Sequence, residues 1–280
     1  MLPDFLCIGA PKAGTTWLFD NLCPHPDIWV PPSKSIKYFD GTARSVRRKR
    51  LLPRRGQVLS PTWRTASLCW NAKYYLSPIL NLRWYGSVFE PADGQIAGEI
   101  APSYCGMSPE QIRHVREVIP DAKIILFLRN PIDRQWSHAV HSLVRVAGLE
   151  PSTISDRQFL DHIQRGNQMK CSDCPQILAN WESVFPAEQM FIGFFEEIAE
   201  APLELLRRIS SFLGVSFDPS ILSVTARRNI FKGASVRPSV DLHRWLTETY
   251  IDDLQQLAAR FGSYPQQWLE HSMPVSGKAA

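Results

Sequence analysis

Short apolar runs bounded by turn residues alternate along this chain with stretches whose apolar positions recur every three to four residues, the pattern of a parallel sheet flanked by helices. The first run, residues 5–8, breaks at Gly9-Ala10-Pro11. A helical pattern resumes after Gly14 with Thr15, Thr16, Trp17 and Leu18, so the chain opens as strand, tight loop, helix. The prolines from Pro24 to Pro32 forbid a helix there and leave room for a short strand near residues 28–30. Residues 95–100 read as another short strand that ends at a proline-containing turn. Ser108 and Pro109 mark the N-cap and first position of a helix that runs to Val118. Lys123–Leu128 is apolar without interruption after its first residue, as a central strand buried on both faces requires. Asn130-Pro131 stops that strand and caps the next helix. Residues 189–194 supply a last strand, Pro202–Leu213 a helix ending at Gly214, and Val240–Phe261 a long amphipathic helix.

The turn between the first strand and helix carries the first chemistry. Backbone N–H groups in such a loop point inward over a helix N-terminus, where the macrodipole favours negative charge, so the loop is shaped to hold a phosphate. Gly9 to Thr16 matches the spacing of a Walker A loop in both glycines and the final threonine, but Thr15 stands where the lysine belongs. The loop's lysine is Lys12, which reaches a different part of a ligand. Pro11-Lys12-Ala13-Gly14-Thr15-Thr16-Trp17-Leu18 after a first strand resembles the 5′-phosphosulfate loop of sulfotransferases that use 3′-phosphoadenosine 5′-phosphosulfate (PAPS). The resemblance is to bacterial members related to the heparan sulfate type. It implies that Lys12, Ala13, Gly14, Thr15, Thr16 and Trp17 bind this co-substrate, with Lys12 also catalytic.

Further segments fall in the family's order over roughly residues 4–262. His25-Pro-Asp-Ile28 and Lys34-Ser35-Ile36-Lys37-Tyr38-Phe39 resemble its next two segments, with one departure. Ser35 stands where many relatives carry the glutamate that acts as general base, and serine has no proton-accepting form near neutral pH. Glu99, in a segment resembling Glu-x-x-Pro-x-Tyr at a strand's carboxyl end, is the replacement candidate, with His138 and His141 as weaker ones. Arg129-x-Pro-x-x-Arg-x-x-Ser137 resembles the 3′-phosphate motif and makes Arg129 and Ser137 nucleotide ligands. Lys232-Gly233 resembles the loop that closes over the same phosphate. Glu196 and Glu197 are expected to be a structural turn. Trp84, Tyr85 and Phe89 match a family segment and equally suit plain core packing.

Composition changes this picture little. A chain of 280 residues with 44% hydrophobic and 21% charged residues is ordinary for a globular protein. No apolar run approaches the roughly 18 residues of a membrane helix, and with no basic leader the expected location is cytoplasmic. A net charge of +4 suits an anionic co-substrate, and no nucleic-acid motif accompanies the seven basic residues from Arg44 to Arg55, expected to be a solvated face. The six cysteines are scattered. Cys171 and Cys174 lack the second pair of a zinc site, and reduced thiols are expected.

The expectation is therefore an α/β, P-loop-like three-layer domain spanning 1–280, with a parallel sheet of about five strands and a helical or loop lid. Residues 41–90 and 145–180 form its acceptor-side insertions. The implied activity is sulfuryl transfer from PAPS to a hydroxyl or amine of a carbohydrate, lipid or small natural product, without a metal. A nucleotide kinase or NTPase, and a nucleotide-binding module without catalysis, are the alternatives.

Overall fold

The computed structural model describes residues 1–51, 68–165, 168–220 and 236–272. Lys232 and Gly233 lie outside these residues. Five parallel strands form one sheet in the order β2-β3-β1-β4-β5: β1 (Phe5–Gly9), β2 (Ile28–Trp29), β3 (Ile96–Ile100), β4 (Lys123–Leu128) and β5 (Met190–Phe194). The helices are α1 (Thr15–Leu22), α2 (Ala43–Leu51), α3 (Leu68–Leu76), α4 (Leu82–Ser87), α5 (Pro109–Val118), α6 (Pro131–Val140), α7 (Asp156–Gln164), α8 (Cys174–Glu182), α9 (Glu197–Glu200), α10 (Pro202–Leu213), α11 (Val240–Phe261) and α12 (Ser263–Ser272). A 3₁₀ turn, Pro102–Gly106, follows β3, and a π-helical turn, His141–Val146, extends α6. Among the described residues no helix is long and apolar enough to cross a membrane.

The uninterrupted apolar runs became the centre of the sheet for a simple reason: only a strand covered on both faces can bury every side chain. All five residues of β1 are buried, and Ile124, Ile125, Leu126, Phe127 and Leu128 of β4 are fully inaccessible. At about 2 kcal/mol for each large apolar side chain, those five contribute roughly 10 kcal/mol of burial free energy against chain entropy. Close packing between neighbours fixes the rest. A Cβ on Gly98 would fall 2.0 Å from Phe5 Cζ, so β3 lies against β1 only because residue 98 has no side chain.

Local signals set the helix ends where the sequence places them. Ser108 accepts from Gln111 N while the Gln111 side chain accepts from Ser108 N, a complete capping box. Asn130 Oδ1 accepts from Ile132 N at 3.0 Å, and Gly214 closes α10 with φ 79. Glu196 and Glu197 do form a structural turn: Glu197 accepts from Phe194 N and pairs with Arg208, and Glu196 accepts from Trp268 Nε1. The basic run is only partly the solvated face expected of it. Arg47 on α2 is 8% exposed, donating to the carbonyls of Tyr75 and Ser77 while its guanidinium lies over the Trp84 ring. A planar cation stacks on an indole and caps a helix end more favourably than it hydrates alone. Trp84 and Tyr85 are buried in this aromatic cluster.

β1 sits between β3 and β4, so the chain crosses over it in passing from one side of the sheet to the other. That reversal opens a crevice at the carboxyl ends of β1 and β4, the position where open α/β sheets hold ligands.

Candidate functional site

The loop Gly9 to Thr16 lies at this crevice and is fastened on all sides by backbone contacts. Ala10 N donates to Phe127 O of β4 at 2.9 Å, and Ala13 N returns to Ala10 O at 3.1 Å. Lys12 adopts φ 71, a left-handed conformation that costs a residue with a Cβ roughly 1 kcal/mol or more and is typical of sites where surroundings dictate the backbone. Gly14 has φ 93 and no room for a side chain, since a Cβ there would stand 2.1 Å from Ile198 Cδ1. It precedes α1 with no side-chain cap, which leaves the first amides of that helix oriented toward an anion.

Cations converge on this turn. Arg129, at the end of β4, donates through Nη1 to Lys12 O at 2.8 Å and lies 4.3 Å over the Phe195 ring. Its Nε is buried without a hydrogen-bond partner among the described residues, a donor that a bound anion would satisfy. Lys34 Nζ donates to Thr15 Oγ1 at 3.1 Å and Thr16 Oγ1 at 2.9 Å, placing its charge at the start of α1. Burial pushes the Lys34 ammonium down to about 8. The Lys12 ammonium is also held below its ordinary value, first by burial and then by the charges of Arg129, Arg145 and Arg134. Crowded cations form a focused positive field, which an anion relieves.

Two of these residues the sequence reading did not single out. Lys34 was legible only as part of the segment flanking Ser35. The bound threonine hydroxyls reveal its place. Arg134, the middle residue of the Arg129–Ser137 motif, is fully buried: Nε donates to Ser172 Oγ at 2.5 Å, Nη2 to Gln168 O at 3.0 Å and to the Gln135 side chain, and Nη1 to Pro11 O at 3.4 Å. Its place in the Arg129–Ser137 motif was the available signal. Ser137 stands on α6, half-buried, about two turns beyond Arg129.

Glu99 faces a different set of partners. Its carboxylate is fully buried and accepts from Lys37 N at 2.9 Å, Tyr85 Oη at 2.7 Å and Tyr104 Oη at 3.2 and 3.3 Å. Burial pushes its proton affinity up to about 7, against the opposing effect of these hydrogen bonds. The segment it holds is strained: Ser35 and Lys37 have φ 64 and 62. Ser35 N and Oγ both donate to Ile100 O, at 3.0 and 3.2 Å, so β3 pins one strained residue through a carbonyl and the next through a carboxylate. The same segment presents Lys34 to the loop.

Comparison with known proteins fits this geometry. Residues 3–219 match the model of the sulfotransferase family. The chain is 26% identical over 217 residues to the mouse protein "Heparan sulfate glucosamine 3-O-sulfotransferase 6", covering 76% of this chain and 52% of that one. The match with its human counterpart has the same identity and coverage. The chain thus spans about half the length of the curated relatives it matches. Among solved structures, a sulfotransferase from Alicyclobacillus acidocaldarius superposes with a TM-score of 0.65 at 25% identity, covering 96% of this chain and 99% of that one. The mouse sulfotransferase SULT7A1, solved with PAP, shares the fold at a TM-score of 0.54 and 16% identity, covering 96% and 88%. With three quarters of its length matched to the family model and an anion-shaped loop where its fold places a ligand, the chain belongs to the sulfotransferase family.

Proposed function

We propose that this protein moves the sulfuryl group of PAPS to a hydroxyl or amine of a carbohydrate, lipid or small natural product, releasing 3′-phosphoadenosine 5′-phosphate (PAP). The observation that supports this most is the convergence of Lys12, Lys34, Arg129 and the uncapped start of α1 on one loop. Residues 12–17 would hold the 5′-phosphosulfate, and Arg129 with Ser137 the 3′-phosphate. An arginine fork matches phosphate oxygens in plane, and a serine hydroxyl adds a donor. Lys232 and Gly233 complete the proposal as a loop over the same phosphate. Bound PAPS supplies an activated sulfuryl group whose departure leaves negative charge on the bridging oxygen. Lys12 and Lys34 are the residues that stabilise that charge, as positioned cations in a site shielded from water. The nucleotide kinase reading is not favoured, because Thr15 occupies the Walker lysine position.

The part played by Glu99 changes with its surroundings. Its proton affinity suits a base, but its oxygens are already engaged by Lys37 N and two tyrosines. The role we assign it is therefore positional: it holds the strained 35–37 segment that delivers Lys34.

The activity is tested by incubating the full chain with PAPS and a panel of hydroxyl and amine acceptors while following PAP release by chromatography. Acceptor-dependent release is expected, and Lys12→Ala should cut it about a hundredfold or more while weakening PAP binding far less. Near-normal turnover in that variant removes Lys12 from the chemistry. Magnesium-dependent ATP hydrolysis without PAPS turnover restores the kinase reading.

A further inference from the structure

Charge is divided unevenly along this chain, and the proposed transfer makes no use of the division. Residues 41–89 hold ten lysines and arginines and no aspartate or glutamate, which leaves 21 basic against 27 acidic residues elsewhere. Arg47 lays α2 on the end of α3: its guanidinium donates to the carbonyls of Tyr75 and Ser77 and covers the Trp84 ring of α4. With Arg47 turned inward, Arg44 and Arg48 are exposed one turn apart on the flank of α2, where like charges at i and i+4 repel. Arg83 adds a third exposed cation next to Trp84.

The same face is apolar where a surface helix is ordinarily polar. α3 turns Trp70, Asn71, Tyr74 and Tyr75 inward and leaves Cys69, Ala72, Lys73 and Leu76 outward, a stripe at i, i+3, i+4 and i+7. Lys73 is its one charge and pairs with Glu90 at 2.5 Å. Leu68 is 89% exposed, Leu76 73%, Ile79 63% and Leu82 40%; these are four of the eight large hydrophobic side chains exposed among the described residues. The rings beneath them are fixed, since Trp70 Nε1 donates to Val88 O at 2.9 Å and Trp84 Nε1 to Lys73 O at 3.0 Å. Leu76 therefore stands on a firm base, between the two residues whose carbonyls Arg47 holds.

We propose that α2, α3 and residues 77–83 form a docking face for a bilayer of anionic phospholipid, with Leu76, Ile79 and Leu82 entering the headgroup boundary and Arg44, Arg48 and Arg83 pairing with lipid phosphates. Cations beside exposed apolar side chains are the composition of an interfacial anchor, in which apolar burial and attraction to anionic lipid add. Other occupants fit this face less well. A second copy seated on it in a two-fold dimer would set these arginines against the same arginines. A soluble polyanion would meet the cations and leave the leucines in water. A protein partner is held chiefly by aromatic anchors, and here Trp70, Tyr74 and Trp84 are buried. Among the described residues no helix is long and apolar enough to cross the bilayer, so the contact is peripheral. None of these residues belongs to the loop at 9–16 or to the cations around it, and the inference stands apart from the nucleotide reading above.

The test sediments the full chain with vesicles of phosphatidylcholine alone and of phosphatidylcholine with about 30% phosphatidylserine, at about 0.1 M salt, where the Debye length is about 10 Å. The chain should bind the anionic vesicles about tenfold or more tightly than the neutral ones. That binding should be lost at about 1 M salt, where the Debye length falls to about 3 Å. Arg44→Gln with Arg48→Gln, and separately Leu76→Ser with Ile79→Ser, should each weaken it about tenfold or more, while circular dichroism and the thermal midpoint stay those of the unmodified chain. Arg165→Gln, which removes an exposed cation outside the face, should bind as the unmodified chain. No cosedimentation with either vesicle, or equal binding to both, would overturn the proposal. So would binding that survives Leu76→Ser with Ile79→Ser, because a site for anions alone needs neither side chain. A concentration-dependent dimer in analytical ultracentrifugation that those two substitutions dissolve would give the face to a second copy instead.

Discussion

The loop after β1 and the turn after α6 are built on opposite principles. On the loop side every turn of backbone is fixed by a named donor: the carbonyls of Pro11 and Lys12 each accept from a separate arginine, and Ala10 N is tied to β4. By contrast, the chain leaves α6 through a π-helical turn, and residues 145–150 are exposed, with Val146 51% and Leu149 38% accessible. Few buried contacts and many exposed backbone hydrogen bonds are the marks of a region that opens easily. The contrast teaches which half is specified tightly. A turn whose backbone groups are all engaged is preorganised, whereas an exposed turn keeps room to adapt.

The contrast breaks most sharply at Arg134. Arg134→Met should leave Pro11 O, Gln168 O and Ser172 without their donor and lower unfolding free energy by about 3 kcal/mol, read by chemical denaturation. A change under about 0.5 kcal/mol would mean that the loop does not depend on this guanidinium.

Glu99→Gln sharpens the comparison from beneath the 35–37 segment. A carboxyl whose proton affinity is raised in the folded state from 4.5 to about 7 contributes stability that is fully present below about pH 4.5 and is lost as pH rises through 7. The variant should remove a pH dependence on the order of 3 kcal/mol across that window. If the role is positional, turnover keeps its pH profile in Glu99→Gln. A hundredfold fall in turnover together with loss of an inflection near pH 7 would make Glu99 the proton acceptor instead.

At the exposed end of α7 the expected effect is smallest. Arg165 and Asp161 on and after α7 are largely exposed and 3.8 Å apart, so Arg165→Ala should change stability by less than about 0.5 kcal/mol. A loss above 1 kcal/mol would show that this end is as tightly built as the loop.

The same division explains what the sequence made legible. The strands, the caps at Ser108, Asn130 and Gly214, and the loop at 9–16 follow from local rules: an uninterrupted apolar run is a buried strand, and a short polar side chain before a proline ends it. What local rules do not contain are contacts between distant segments. That Lys34 reaches Thr15 and Thr16, and that Arg47 leaves the solvated face for Trp84, are both products of tertiary packing. Glu99 shows the limit within one residue. Its place at the carboxyl end of β3 was legible, but the three groups that occupy its oxygens come from α4, the 3₁₀ turn and the Lys37 backbone.

The central claim is that the cage around the loop is made for a nucleotide carrying both a 5′- and a 3′-phosphate. Calorimetry of the reduced full chain with PAP against adenosine 5′-phosphate tests it directly. PAP should bind at least tenfold more tightly, and Arg129→Ala should erase that preference, because removing a charge-assisted partner costs on the order of 2 kcal/mol or more. Equal affinity for the two nucleotides, or a preference that survives Arg129→Ala, would contradict the account.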